Sequence, residues 1–335
     1  MPFPELDRSL RDMTSPSNNT RLRSGRRASW TGLALALATS ACCVTAHAQE
    51  DPADPPVQAA SGARAVPKPE IVEIALKGAA TFGGDVNMVT QVFKPAGLGP
   101  FPVLLFSHGR AGSAVERSKL IRPIPPDQVR FWLGKGYVVV APIRVGYGST
   151  GGPDAEANGA RFDTEGRCVG RPDFRGVADA AGKAVVATLG WLRSQPWADT
   201  HRVILEGQSV GGFATVAAAA HKPDGVLGFI NFAGGTGGNP ERSPGRGCDP
   251  DQLTDLYTEF GKTTSIPNVW IYAENDQYWG ADAPRAWHAG FARGGSKTTF
   301  VQAPPVGDGD GHGLSRHAPR LWAGYLNDFL DSMGK

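Results

Sequence analysis

The segment Gly207-Gln208-Ser209-Val210-Gly211 sets a serine between two glycines. It lies where the apolar run RVILEG (202–207) meets the alanine-rich run VGGFATVAAAAH (210–221). The pattern G-x-S-x-G at a strand-to-helix seam marks a nucleophilic serine. The turn is too sharp for side chains on its flanks, which calls for glycine there. A serine so placed begins a helix, and the Val210 N–H points the same way, toward a developing oxyanion.

A hydroxyl attacks well only when a base takes its proton, and the base needs an acid to orient it. AENDQYWG puts Asp276 just past the apolar run PNVWIYAEN (267–275), and DGDGHGL puts His312 in a glycine-rich loop. Glu274 and Asp282 are the rival acids and His317 the rival imidazole. Asp276 is preferred for its place at a strand end. His312 is preferred because His317 falls at the start of the last helix. His201, His221 and His288 sit beside or inside elements distant from the strand ends.

A second oxyanion donor is expected from the loop SHGRAGS, where Gly109 and Gly112 let a backbone approach closely. The Arg110 N–H is the first candidate and that of Ala111 the second. His108 reads as structural, holding the loop by hydrogen bonds, with catalysis the other role open to it. Tyr278 and Trp279, directly after the acid, and Arg144 and Tyr147 in PIRVGYGS are candidate substrate contacts. DGDGH loosely echoes a calcium loop but lacks the glutamate such a loop needs, and no metal or cofactor is expected.

Several elements must position these groups. Strands are expected at 71–77, 88–94, 101–109, 137–143, 202–207, 225–235, 267–275 and 298–304, from short buried or alternating runs. Helices are expected at 126–136, 174–195, 210–221, 251–262, 283–295 and 317–330. Apolar strands alternating with helices imply an α/β architecture, with a mostly parallel sheet covered on both faces. The first two strands have no helix between them and should form an antiparallel edge hairpin. Loops at the carboxyl ends of parallel strands converge, which is where such sheets keep their sites.

The motifs SHGRAGS, GQSVGG, AENDQYWG and DGDGHGL together resemble the exported, dienelactone-hydrolase-like branch of the α/β-hydrolase superfamily, over about residues 70–330. The resemblance implies an α/β-hydrolase fold of about eight strands flanked by helices. It also implies a serine carboxylic ester hydrolase acting on a small-molecule ester, without cofactor, through an acyl-enzyme. Dienelactone hydrolase itself resembles a cytoplasmic protein with a cysteine nucleophile; the serine and the leader set this chain apart from it. Two other functions fit the same motifs. One is a small-peptide serine peptidase of prolyl-oligopeptidase type, with no propeller domain ahead of the catalytic region. The other is a non-catalytic binding protein on the same scaffold.

Composition bounds the remaining choices. Of 34 Lys/Arg and 32 Asp/Glu, six and three lie in residues 1–48, leaving 28 and 29. A balance so close to neutral gives no field for nucleic acid or an anionic membrane. Residues 1–48 read as a signal peptide: Arg21, Arg23, Arg26 and Arg27, then WTGLALALATSACCVTA, then AHA. The apolar run is too short for a comfortable membrane span. Arg26-Arg27 is compatible with a twin-arginine signal, Met13 with an alternative start, and a lipid anchor at Cys42 is not expected because Thr39 stands where leucine belongs. Residues 49–69 read as a disordered linker and 70–335 as the hydrolase domain. After cleavage Cys168 and Cys248 remain, and in an exported protein they should pair. Their loops could form a small cap over the site. The protein is thus expected to be periplasmic or secreted, with no membrane span once mature; the sequence leaves its oligomeric state open.

Overall fold

The computed structural model describes residues 65–334. The expected leader, with Cys42 and the Arg26-Arg27 pair, and most of the expected linker lie outside the described residues. Residues 65–69 of that linker are described, and Val66 packs against one face of the core.

Strands β1 (Glu70–Leu76) and β2 (Val86–Phe93) pair antiparallel, joined by a short connection that holds only a single 3-10 turn (Thr81–Gly83). Strand β3 (Phe101–Ser107) follows, then helices α1 (Ala114–Ser118) and α2 (Pro126–Gly134) and strand β4 (Val138–Pro142). A long loop leads to α3 (Phe174–Leu192), β5 (Ala198–Gln208), α4 (Val210–Ala220) and β6 (Val226–Phe232). The chain closes with α5 (Pro250–Thr263), β7 (Asn268–Ala273), α6 (Asp282–Ala292), β8 (Thr298–Ala303), α7 (Leu314–His317) and α8 (Pro319–Ser332). The eight strands form one sheet in the order β1-β2-β4-β3-β5-β6-β7-β8. The pairs β1–β2 and β2–β4 are antiparallel and all others parallel.

The central strands read as continuous apolar runs because helices cover both faces. Helices α3, α4, α5 and α6 cover one face, where Val177, Phe213, Tyr257 and Trp287 pack on Leu105, Leu205 and Trp270. Helices α2 and α8 cover the other, where Trp132, Trp322 and Leu326 pack on Leu104, Ile204 and Ile230. Each buried aromatic of this kind contributes roughly 3–5 kcal/mol against truncation to alanine. Two short helices were not anticipated. Helix α1 is capped by Ser113, whose Oγ accepts the Glu116 N–H at 3.1 Å. Helix α7 ends at His317, so this residue precedes the final helix instead of opening it.

Cys168 and Cys248 are disulfide-bonded, with Cα atoms 5.0 Å apart. The bond joins the loop before α3 to the loop after β6. Among the described residues no helix is long and apolar enough to cross a membrane.

Candidate active site

Ser209 links β5 to α4 with φ 57° and ψ −126°, a left-handed conformation that a serine adopts only under constraint. Its N–H donates to the Phe232 carbonyl at 2.9 Å, and its own carbonyl accepts from Phe213 at 3.0 Å and Gly235 at 3.2 Å. These three bonds over-determine the turn. The flanking glycines are required sterically. A Cβ on Gly207 would strike the Gly211 carbonyl, and one on Gly211 would strike the carbonyls of Ser107 and His108. Ser209 is 7% exposed, at the carboxyl edge of the sheet. Val210 is the first residue of α4, so its N–H has no partner inside the helix and is free to serve an anion.

Asp276 follows β7 and His312 lies in the loop after β8. The structure brings them together: His312 Nδ1 is 3.0 Å from Asp276 Oδ2. The other oxygen, Asp276 Oδ1, accepts the backbone N–H groups of Tyr278 (2.8 Å) and Trp279 (3.1 Å). The carboxylate is thereby oriented before any substrate arrives. Asp310 shapes the histidine loop: its Oδ1 accepts from the N–H of His312 and of Gln277, each at 2.9 Å. The second aspartate of DGDGH thus supplies a cap for the turn. Gln208, the residue before the serine, donates to the His312 carbonyl at 3.3 Å and ties the two loops. Among the described residues no hydrogen bond of 3.5 Å or less engages the Ser209 hydroxyl. Glu274 and His317 are exposed, and Asp282 is exposed at the start of α6.

The loop 107–113 lies directly against the serine. A Cβ on Gly109 would sit 3.3 Å from Ser209 Cβ. Among the described residues the Arg110 N–H donates to no protein group. The Arg110 side chain makes a bidentate pair with Asp154, at 2.6 and 2.7 Å, and Asp154 also pairs with Arg117 at 2.9 Å.

Of the four candidate substrate contacts, two are corrected. Arg144 and Tyr147 are both 1% exposed and turn inward. The Arg144 guanidinium donates to both Glu156 oxygens (2.5 and 3.0 Å), to Ser107 Oγ (3.1 Å) and to the His108 carbonyl (2.6 Å). Tyr147 donates its hydroxyl to Glu156 at 2.6 Å. A guanidinium buried this way stays charged only because Glu156 and the two other acceptors satisfy it. Both side chains are turned into this buried network and away from any substrate. Tyr278 does face the site: half-buried, it stacks on the His312 ring with centroids 4.0 Å apart. Trp279 is buried, donates to the Ala233 carbonyl at 2.8 Å and meets His312 edge-on at 5.6 Å. Its ring also walls a hollow of about 570 Å³ between the two disulfide-joined loops, beside Phe162, Arg167 and Arg246.

Sequence reasoning missed Glu206, a fully buried carboxyl in β5, on the strand of the serine. Its Oε2 accepts from Trp132 Nε1 at 2.7 Å, and Oε1 has no partner. Burial pushes its pKa up to about 8. A charged residue inside RVILEG was the available signal. Asn231 on β6 was missed likewise; it donates to the Tyr272 hydroxyl at 3.2 Å behind α4.

Comparison with known proteins adds the following. A family model described as X-Pro dipeptidyl-peptidase (S15 family) matches residues 83–241, just under half of the chain. The matched span contains Ser209 and ends before Asp276 and His312. No curated protein sequence matches the chain. Among solved structures, the esterase Pf2001 of Pyrococcus furiosus superposes with a TM-score of 0.51 at 14% identity, over 79% of this chain and 92% of its own. The acylaminoacyl peptidase of Pyrococcus horikoshii gives 0.52 at 16% identity, over 79% of this chain and 42% of its own. A puromycin hydrolase gives 0.53 at 14% identity, over 80% and 40%. At such identities the likeness is one of fold.

Proposed function

The chain is an α/β-hydrolase by fold, and we propose that it is a serine carboxylic ester hydrolase working through an acyl-enzyme. The observation that carries this reading is the Asp276–His312 pair at 3.0 Å, tied to the Ser209 turn through Gln208. His312 Nε2 takes the Ser209 proton as Oγ attacks the ester carbonyl carbon. The Val210 and Arg110 N–H groups hold the resulting oxyanion. Collapse of this intermediate breaks the bond to the leaving alkoxide, which receives the proton from His312. Water then attacks the acyl-enzyme, giving its proton to His312, and the acid product leaves as Ser209 is reprotonated. Asp276 fixes the proton-bearing nitrogen of His312 as Nδ1 and stabilises the imidazolium that forms twice per cycle.

The ester reading draws on the likeness in fold to the Pyrococcus furiosus esterase. The X-Pro dipeptidyl-peptidase match supports the second reading, a small-peptide serine peptidase with the same triad. The Cys168–Cys248 bond supports work in an oxidising compartment, periplasmic or extracellular.

Wild-type protein should hydrolyse short p-nitrophenyl esters and take a fluorophosphonate label at Ser209. Ser209→Ala should lose about 10⁶ in turnover with the fold intact. An unlabelled Ser209, or full activity in the alanine variant, refutes the assignment. Turnover of alanyl-prolyl p-nitroanilide exceeding that of every ester tried would move the function to the peptidase reading.

A further inference from the structure

Tyr278 follows Asp276 by two positions, and the acyl-enzyme scheme above gives its ring no part. We propose that Tyr278 is a positioning residue: its ring, stacked on the His312 imidazole, holds that ring in place and stabilises the imidazolium that forms in both halves of the cycle. This role rests on the acyl-enzyme reading and names the side chain that tunes its base.

The two rings are close to parallel, with centroids 4.0 Å apart and planes inclined by 28°. Imidazole and imidazolium fit this stack equally well in shape and differ in charge. The face of an aromatic ring carries negative potential, so it draws a cation more strongly than a neutral ring. The attraction grows where water is excluded, and His312 is 8% exposed here with Asp276 at 1%. A contact that favours the charged form strengthens as the proton leaves Ser209, and only contacts of that kind raise turnover.

The turn that carries Tyr278 grips both members of the pair. The N–H groups of Tyr278 and Trp279 donate to Asp276 Oδ1, at 2.8 and 3.1 Å. Asp276 Oδ2 meets His312 at the ring edge, through Nδ1, which leaves the ring face to Tyr278. Asp310 Oδ1 accepts from the N–H of Gln277 and of His312 and so holds the two loops side by side. Glycine backbone lets the aromatic rings settle: a Cβ on Gly238 would lie 2.9 Å from Tyr278 Cδ1 and 2.7 Å from Trp279 Cζ3. Trp279, anchored to the Ala233 carbonyl, meets His312 edge-on and limits its tilt. Among the described residues the Tyr278 hydroxyl hydrogen-bonds to no protein group, so the ring alone engages His312.

The test compares Tyr278→Phe, Tyr278→pentafluorophenylalanine and Tyr278→Leu on p-nitrophenyl acetate and on a trifluoromethyl ketone. Phenylalanine keeps the negative face. Pentafluorophenylalanine keeps nearly the same outline and reverses the sign of the face. Leucine covers the imidazole without either. Acylation and deacylation both pass through the imidazolium, so both slow by one factor and KM stays in place. Relative to Tyr278→Phe, the pentafluoro variant should lose roughly three- to thirtyfold in kcat with KM within about twofold. The ketone adds to Ser209 and leaves the serine proton on His312, so its affinity should fall by the same factor as kcat. Tyr278→Leu should fall between the two, and Tyr278→Phe should recover most of what leucine loses. The two aromatic variants keep the comparison decisive if the leucine variant does not fold. The proposal is overturned if the phenylalanine and pentafluoro variants match in kcat and in ketone affinity, or if only KM changes. Failure of the underlying reading shows separately, as wild-type protein that no fluorophosphonate labels at Ser209.

Discussion

Replacing Glu206 by glutamine should make the protein more stable, and increasingly so as the pH rises. Glu206 is fully buried against Trp132, with one oxygen hydrogen-bonded and the other without a partner. Its folded-state pKa is about 8, raised from 4.5 by burial. The unfolded chain releases this proton near pH 4.5 and the folded chain only near 8. Between those values the native state binds the extra proton, so raising the pH favours unfolding. The group is harmless below about pH 4.5 and its full penalty is reached above about pH 8. The shift of roughly 3.5 units corresponds to about 5 kcal/mol, of which about 3 kcal/mol is already felt at pH 7. Glutamine keeps the acceptor for Trp132 Nε1 and does not ionise. Wild type and Glu206→Gln should therefore unfold at similar urea concentrations at pH 5 and diverge by pH 8, where the variant holds longer. Unfolding profiles that stay parallel from pH 5 to pH 8 would show that Glu206 titrates normally, and the reasoning from burial would fail.

Gly211→Ala forces a methyl group into the Ser107 and His108 carbonyls and should cost about 3 kcal/mol or more along with most of the turnover, whereas Gly190→Ala, on an open helix face, should gain about 0.5–1 kcal/mol; thermal melts of both check the contrast. Converting Cys168 and Cys248 to serine removes a closure between residues 80 apart and should lower stability by about 4 kcal/mol, read as a shift in urea midpoint that reduction of the wild type reproduces.

Much of this molecule was readable before its coordinates. Among the described residues, all eight strands and six of the eight α-helices lie where periodicity places them, because the central strands, covered on both faces, are unbroken apolar runs and the first two alternate. Helix α1 was missed although Ser113-Ala-Val-Glu116 carries the S-x-x-E spacing of a capping box; its five residues are too few to show apolar periodicity. The pairing of Asp276 with His312 was legible because both side chains sit just beyond strand ends. Arg144 and Tyr147 were misread as substrate contacts because a loop arginine normally faces water. What reverses that rule is Glu156, twelve positions on in a loop with no periodicity to announce its burial.

The bond between Cys168 and Cys248 closes a covalent ring around α3, β5, α4 and β6, with Ser209 inside it. A protease that cuts the backbone once anywhere within that ring leaves two fragments still joined through sulfur. Such a nicked molecule can keep its sheet, and it would come apart only when a reductant arrives.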